Sequence, residues 1–149
     1  MDVEIVEVPK SFVLVGLSGQ VENNAFGPVG MKLMNELWRI VKGTGTPNSG
    51  VNLWVYLPGS RMFTGVELLP GAEAPAGLES LNFELPRYLK HVHIGPYQAL
   101  PVKWMTLKTE IAARGERMGP YSLEIYGHHS DDPAATETTI LIGLGQTSG

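Results

Sequence analysis

The quartet Leu123-Glu124-Ile125-Tyr126 repeats Leu53-Trp54-Val55-Tyr56 with one chemical change, a carboxylate where the earlier copy has an indole. Both quartets read as β-strands, whose side chains point to alternate faces with period 2. Glu124 and Tyr126 therefore share one face, and Leu123 and Ile125 the other. A strand carboxylate turned toward a core is costly unless something meets its charge. The position of Glu124 thus needs a chemical reason.

Working outward, each quartet follows a Gly-Pro pair at nearly the same distance. Leu53 lies 26 residues after Gly27-Pro28, and Leu123 lies 28 residues after Gly95-Pro96. Proline is tolerated in the first helical turn. Val29, Leu33, Leu37, Ile40 and Val41 then mark one apolar helix face, stopped by Gly43 and Gly45. The second helix is expected to run to about residue 113, with Pro101 delaying its start and Gly115 ending it. Strands are expected at 2–8, 12–17, 51–57 and 61–68, the last two forming a hairpin around Pro58-Gly59-Ser60. Further strands are expected at 81–85, 88–94, 122–127 and 137–144, with a loop through Asp131-Asp132-Pro133.

The stretch 70–77 carries no periodicity and reads as a linker between pseudo-repeats of about 1–70 and 78–145. The expected fold class is α+β, a single domain over 1–149 made of a tandem strand-helix-strand-strand repeat. Two such halves can join into one curved antiparallel sheet with both helices on one face and a ligand groove between the halves.

Composition narrows the function classes. The chain has 149 residues, enough for a single well-buried core. It has no cysteine, which excludes disulfides, thiolate nucleophiles and Cys-based zinc sites. Eleven Lys and Arg against fifteen Asp and Glu give a formal charge of −4, and the basic residues are scattered. No nucleic-acid footprint results, and the field favours cationic partners. The acidic start Met1-Asp2-Val3-Glu4 lacks the basic region of a secretion signal, and no apolar run is long enough for a membrane helix. The expectation is a cytoplasmic protein that needs no membrane.

Aromatic rings beside an anion would add to its attraction for a cation, because a ring face attracts positive charge by roughly 0.5–2 kcal/mol. Trp38, Trp54, Tyr56, Phe63, Tyr97, Trp104 and Tyr126 are the candidate walls around Glu124. Met31, Met34, Met105 and Met118 are expected as core gap-fillers. His91 and His93 share a strand face, and His128-His129 precedes Asp131 and Asp132, but no zinc-ligand spacing is present, so neither metal nor cofactor is expected.

The run His93-Ile94-Gly95-Pro96-Tyr97, with Trp104, Glu124-Ile125-Tyr126, Asp132-Pro133 and the closing Glu137-Thr138-Thr139-Ile140-Leu141-Ile142, resembles the GyrI-like (gyrase-inhibitory-protein-like) family. The same module forms the effector-binding part of some AraC-type and MerR-type regulators. The resemblance implies a pocket for bulky lipophilic compounds, often cations, with a glutamate on its floor, which by position is Glu124. It also implies a second possibility, since some members hydrolyse cyclopropane-bearing alkylators; Glu124 and Tyr126 would then be catalytic. No helix-turn-helix or basic segment flanks the module, so the sequence implies a stand-alone protein that senses or sequesters a drug or toxin. A third reading, a regulator acting through an unidentified protein partner, is left open. Glu137 matches the family pattern and is read as structural.

Overall fold

The computed structural model describes residues 2–127 and 132–145. Among the described residues the chain is α+β, with eight strands and two α-helices. The strands are β1 (Glu4–Val6), β2 (Lys10–Gln20), β3 (Asn52–Leu57), β4 (Arg61–Val66), β5 (Glu79–Leu85), β6 (Tyr88–Ile94), β7 (Met118–Tyr126) and β8 (Glu137–Leu144). The helices are α1 (Phe26–Thr44) and α2 (Leu100–Ala113). Two compact units emerge, one from the described residues of Met1–Lys10 and Leu85–Gly149, the other from Ser11–Glu84.

In the unit that contains Glu124 the strand order is β1-β6-β8-β7. All three pairings are antiparallel, with Ile5 opposite Leu89, His91 opposite Ile140, and Glu124 also opposite Ile140 on its other side. Leu89, Leu100, Leu107, Ile111, Ile140 and Ile142 form the core between α2 and the sheet, with Trp104 and Tyr126 packed against it. Directly opposed residues share a sheet face. The face carrying Glu124 is therefore the one beneath α2.

The other unit has the order β5-β2-β4-β3, with β2 and β3 each antiparallel to β4. Its core is built on Val15, Leu37, Val41 and Val66. Within each unit a strand, a helix and a hairpin follow one another in the chain, and a strand from earlier or later in the sequence closes one edge. β1 closes the unit that contains β6, and β5 closes the one that contains β2.

Both helices stop at a glycine, Gly45 and Gly115, whereas Gly43, also expected to stop the first helix, lies inside α1. Gly45 takes φ 64° and its N–H donates to Lys42 O, while Thr46 N–H reaches back to Val41 O. Gly115 takes φ 74°, with matching bonds from Gly115 to Ala112 and from Glu116 to Ile111. These are Schellman closures, which satisfy the last orphan carbonyls of a helix. At the other end of α2, Pro101 sits in the first turn behind a 3-10 turn at Tyr97–Ala99, so the helix begins later than Gly95-Pro96.

Several boundaries differ from expectation. The first strand is only Glu4–Val6, because its ladder reaches only Tyr88–Lys90. β7 begins at Met118, passing Pro120 through a shift in register between Met118 and Ser122, a place where a missing N–H costs no ladder bond. Of the methionines expected in the core, Met31, Met105 and Met118 are exposed, whereas Met62, which is not one of them, is fully buried. Among the described residues, no helix is long and apolar enough to cross a membrane.

Candidate functional site

Strand β7 carries Glu124 onto the face beneath α2 with 3% of its surface exposed. Each of its oxygens accepts a hydrogen bond. Trp104 Nε1–H on α2 donates to Oε2 at 2.8 Å, and the Tyr126 hydroxyl, two residues along the same strand, donates to Oε1 at 2.7 Å. A carboxylate has only acceptors to offer, and both contacts are donors. The Tyr126 ring meets the Tyr97 ring edge to face, with centroids 5.5 Å apart. Tyr97 stands on the 3-10 turn before α2 and is exposed at 41%.

The unit therefore brings together a buried anion, an indole and two phenols, graded from the apolar core to the surface. Bonds to an anionic acceptor are shorter and about twice as strong as neutral ones. They fix the carboxylate plane while leaving aromatic area beside it. Of the eight residues expected at the site, Glu124, Tyr126, Trp104 and Tyr97 lie in this one unit.

Trp38, Trp54, Tyr56 and Phe63 lie in the other unit. Trp54 is buried against helix α1, where Gly30 makes room for it: a Cβ on Gly30 would stand 2.4 Å from the indole Cζ3. Its Nε1–H donates to Asn52 Oδ1 at 2.9 Å, and Asn52 in turn donates to Gly65 O at 3.1 Å. Tyr56 makes an edge contact with Phe26 at 5.2 Å. Trp38 packs on the Val15, Leu37, Val41 and Val66 core, and Phe63 is 2% exposed.

His91 and His93 are both buried on the Glu124 face. His91 Nδ1 is 2.7 Å from Asp2 O, and His93 Nε2 is 3.2 Å from Pro96 O. Because a carbonyl only accepts, each of these nitrogens carries the proton. His128, His129 and Asp131 lie outside the described residues. Among the described residues, no three His, Asp or Glu side chains come together as metal ligands would. Glu137 is exposed at the start of β8, and its carbonyl accepts the Gly127 N–H at 3.2 Å.

Sequence reasoning missed Thr138. It is fully buried on β8, directly opposite Tyr126 on one side and His93 on the other. Its signals in the sequence were its place in the run 137–142 and its period-2 alternation with Ile140 and Ile142.

An ion-pair cluster in the same unit secures the N-terminal segment. Arg87 forks onto Glu116 at 2.6 and 2.9 Å and reaches Glu7 at 3.1 and 3.2 Å. Hydrogen bonds from Arg87 hold the carboxyls of Glu7 and Glu116 below their usual range.

No family model matches the chain, and no curated protein matches it. Solved structures do. The structure of SAV2435 bound to tetraphenylphosphonium is 14% identical, with a TM-score of 0.62, and the match covers 97% of this chain and 94% of that one. A hydrolase encoded by lin2189 from Listeria innocua is 11% identical, with a TM-score of 0.55, over 94% of this chain and 93% of that one. The EcmrR C-terminal domain is 14% identical, with a TM-score of 0.69, over 99% of this chain and 100% of that one. At these identities the likeness is one of fold, and the fold is shared with a protein captured on a lipophilic cation.

Proposed function

We propose that this protein binds bulky lipophilic compounds, cationic or aromatic, and that Glu124 supplies the counter-charge, as the GyrI-like resemblance implies. The observation that carries the reading is the carboxylate of Glu124, 3% exposed and oriented by Trp104 and Tyr126 at 2.8 and 2.7 Å. A charge pair at 4 Å and an effective dielectric near 20 is worth roughly 4 kcal/mol before desolvation is subtracted. That is enough to separate a cation from a neutral molecule of similar shape. Trp104, Tyr126 and Tyr97 supply the aromatic walls. The shared fold with SAV2435 bound to tetraphenylphosphonium supports this reading. Comparing tetraphenylphosphonium with neutral triphenylphosphine oxide on wild type and Glu124→Gln tests it.

A second reading draws on the 2.7 Å contact between Tyr126 and Glu124, which joins a base to a proton donor. In hydrolysis of a cyclopropane-bearing alkylator, Glu124 takes a proton from water and the hydroxide forms a C–O bond to a strained ring carbon. The ring C–C bond breaks and its electron pair moves onto a conjugated oxygen, which Tyr126 protonates while it takes from Glu124 the proton removed from water, so that both side chains are regenerated. Mass spectrometry after incubation distinguishes the two readings: a product heavier by one water means hydrolysis, and unchanged compound with protein in excess means binding.

A further inference from the structure

Among the described residues, Thr64 Oγ1, His91 Nε2 and Thr138 Oγ1 are buried side-chain atoms without a hydrogen-bond partner. Leaving such an atom unpaired costs about 1–3 kcal/mol, so each asks what it is meant to meet. Two of them, on His91 and Thr138, lie on the sheet face that carries Glu124. The register runs Glu124 to Ile140 to His91, and Tyr126 to Thr138 to His93. Thr138 is thus a diagonal neighbour of both Glu124 and His91, about 7–8 Å from each by strand geometry.

Their chemistry is complementary. His91 Nδ1 gives its proton to Asp2 O at 2.7 Å, which leaves Nε2 with a lone pair. The Thr138 hydroxyl has a proton to give. A single hydroxyl between them would accept from Thr138 and donate to His91, satisfying both atoms at once. A carbonyl would satisfy only one, and a bare hydrocarbon neither.

We propose that Thr138 and His91 form a hydroxyl-binding subsite beside Glu124, so that the ligand is a lipophilic cation carrying a phenol or alcohol. This rests on Glu124 as the counter-charge. The separation of Thr138 from Glu124 is comparable to the reach across a para-substituted phenyl ring. Beside Thr138, Tyr126 is half-buried and edge-on to the exposed Tyr97. Thr64 serves as the contrast, because it faces Trp54 and Leu17 in the other unit and has no charged neighbour on either strand.

The test uses a matched pair of probes, tetraphenylphosphonium and (4-hydroxyphenyl)triphenylphosphonium, titrated calorimetrically into wild type, Thr138→Val and Thr64→Val. Wild type is expected to prefer the phenol by about tenfold. Thr138→Val keeps its tetraphenylphosphonium affinity within about twofold and loses the preference, while Thr64→Val retains it. Equal affinity of wild type for both probes overturns the subsite, and that arm needs no variant to fold. A preference that survives Thr138→Val overturns it too. Binding of neither probe to wild type overturns the Glu124 reading as well; equal binding of both overturns only the subsite.

Discussion

Trp104 on helix α2 donates its indole N–H to Glu124 on strand β7 at 2.8 Å, a bond that ties the helix above the sheet to the anion within it. Trp104→Phe keeps most of the ring and removes that donor from a buried carboxylate. Stability is expected to fall by about 1–3 kcal/mol in urea denaturation. Binding of tetraphenylphosphonium should weaken with it, because Glu124 loses its fixed plane. An unchanged denaturation midpoint would mean that the bond contributes nothing.

Trp54 fills its own unit so closely that Gly30 has no room for a side chain, the added Cβ standing 2.4 Å from Cζ3 and 2.8 Å from Met62 Cε. Gly30→Ala is expected to destabilise by about 1–3 kcal/mol, despite the better helix propensity of alanine. Thermal denaturation checks it. A stabilised variant would show that the indole moves freely and does not plug that unit.

How much of this was legible in the sequence depends on range. The helix stops at Gly45 and Gly115 were readable, because a positive-φ closure asks for glycine locally. Strands 88–94 and 137–144 were readable to the residue, and period 2 put Glu124 and Tyr126 on one face. Which face lay beneath the helix was not, since Leu123 and Ile125 made an equally apolar alternative. The structure decides it through Trp104, a contact twenty positions distant in sequence. The pairing of β1 with β6 was likewise hidden, because long-range register leaves no mark in either short segment. That Thr138 and His91 each bury an unpartnered atom was not legible for a related reason: such an atom is defined by what surrounds it, not by its own residue type.

Arg87 predicts an acid-sensitive component of stability. Its hydrogen bonds hold the folded-state carboxyls of Glu7 and Glu116 below the ordinary carboxylate range. Between the folded and unfolded values the unfolded chain binds more protons, so stability rises with pH through that window. The contribution is fully present above the ordinary carboxylate range and lost as pH falls through the lowered values. Urea midpoints measured from pH 7 downward should show a steeper acid loss for wild type than for Arg87→Gln. Parallel curves would remove these pairs from the account.

Tyr126→Phe separates wall from donor. The ring that meets Tyr97 remains, so cation affinity should fall by no more than about tenfold, the worth of one hydrogen bond to Glu124. Loss of all binding in calorimetry, with the fold intact by circular dichroism, would make the hydroxyl itself the recognition element.

Glu124→Gln asks whether Glu124 meets a ligand's positive charge, because the amide keeps the shape and removes the charge. Calorimetric titration with tetraphenylphosphonium and with neutral triphenylphosphine oxide gives two affinity ratios between wild type and variant. A loss of at least about tenfold is expected for the cation and little change for the neutral compound. Equal losses for both would contradict it.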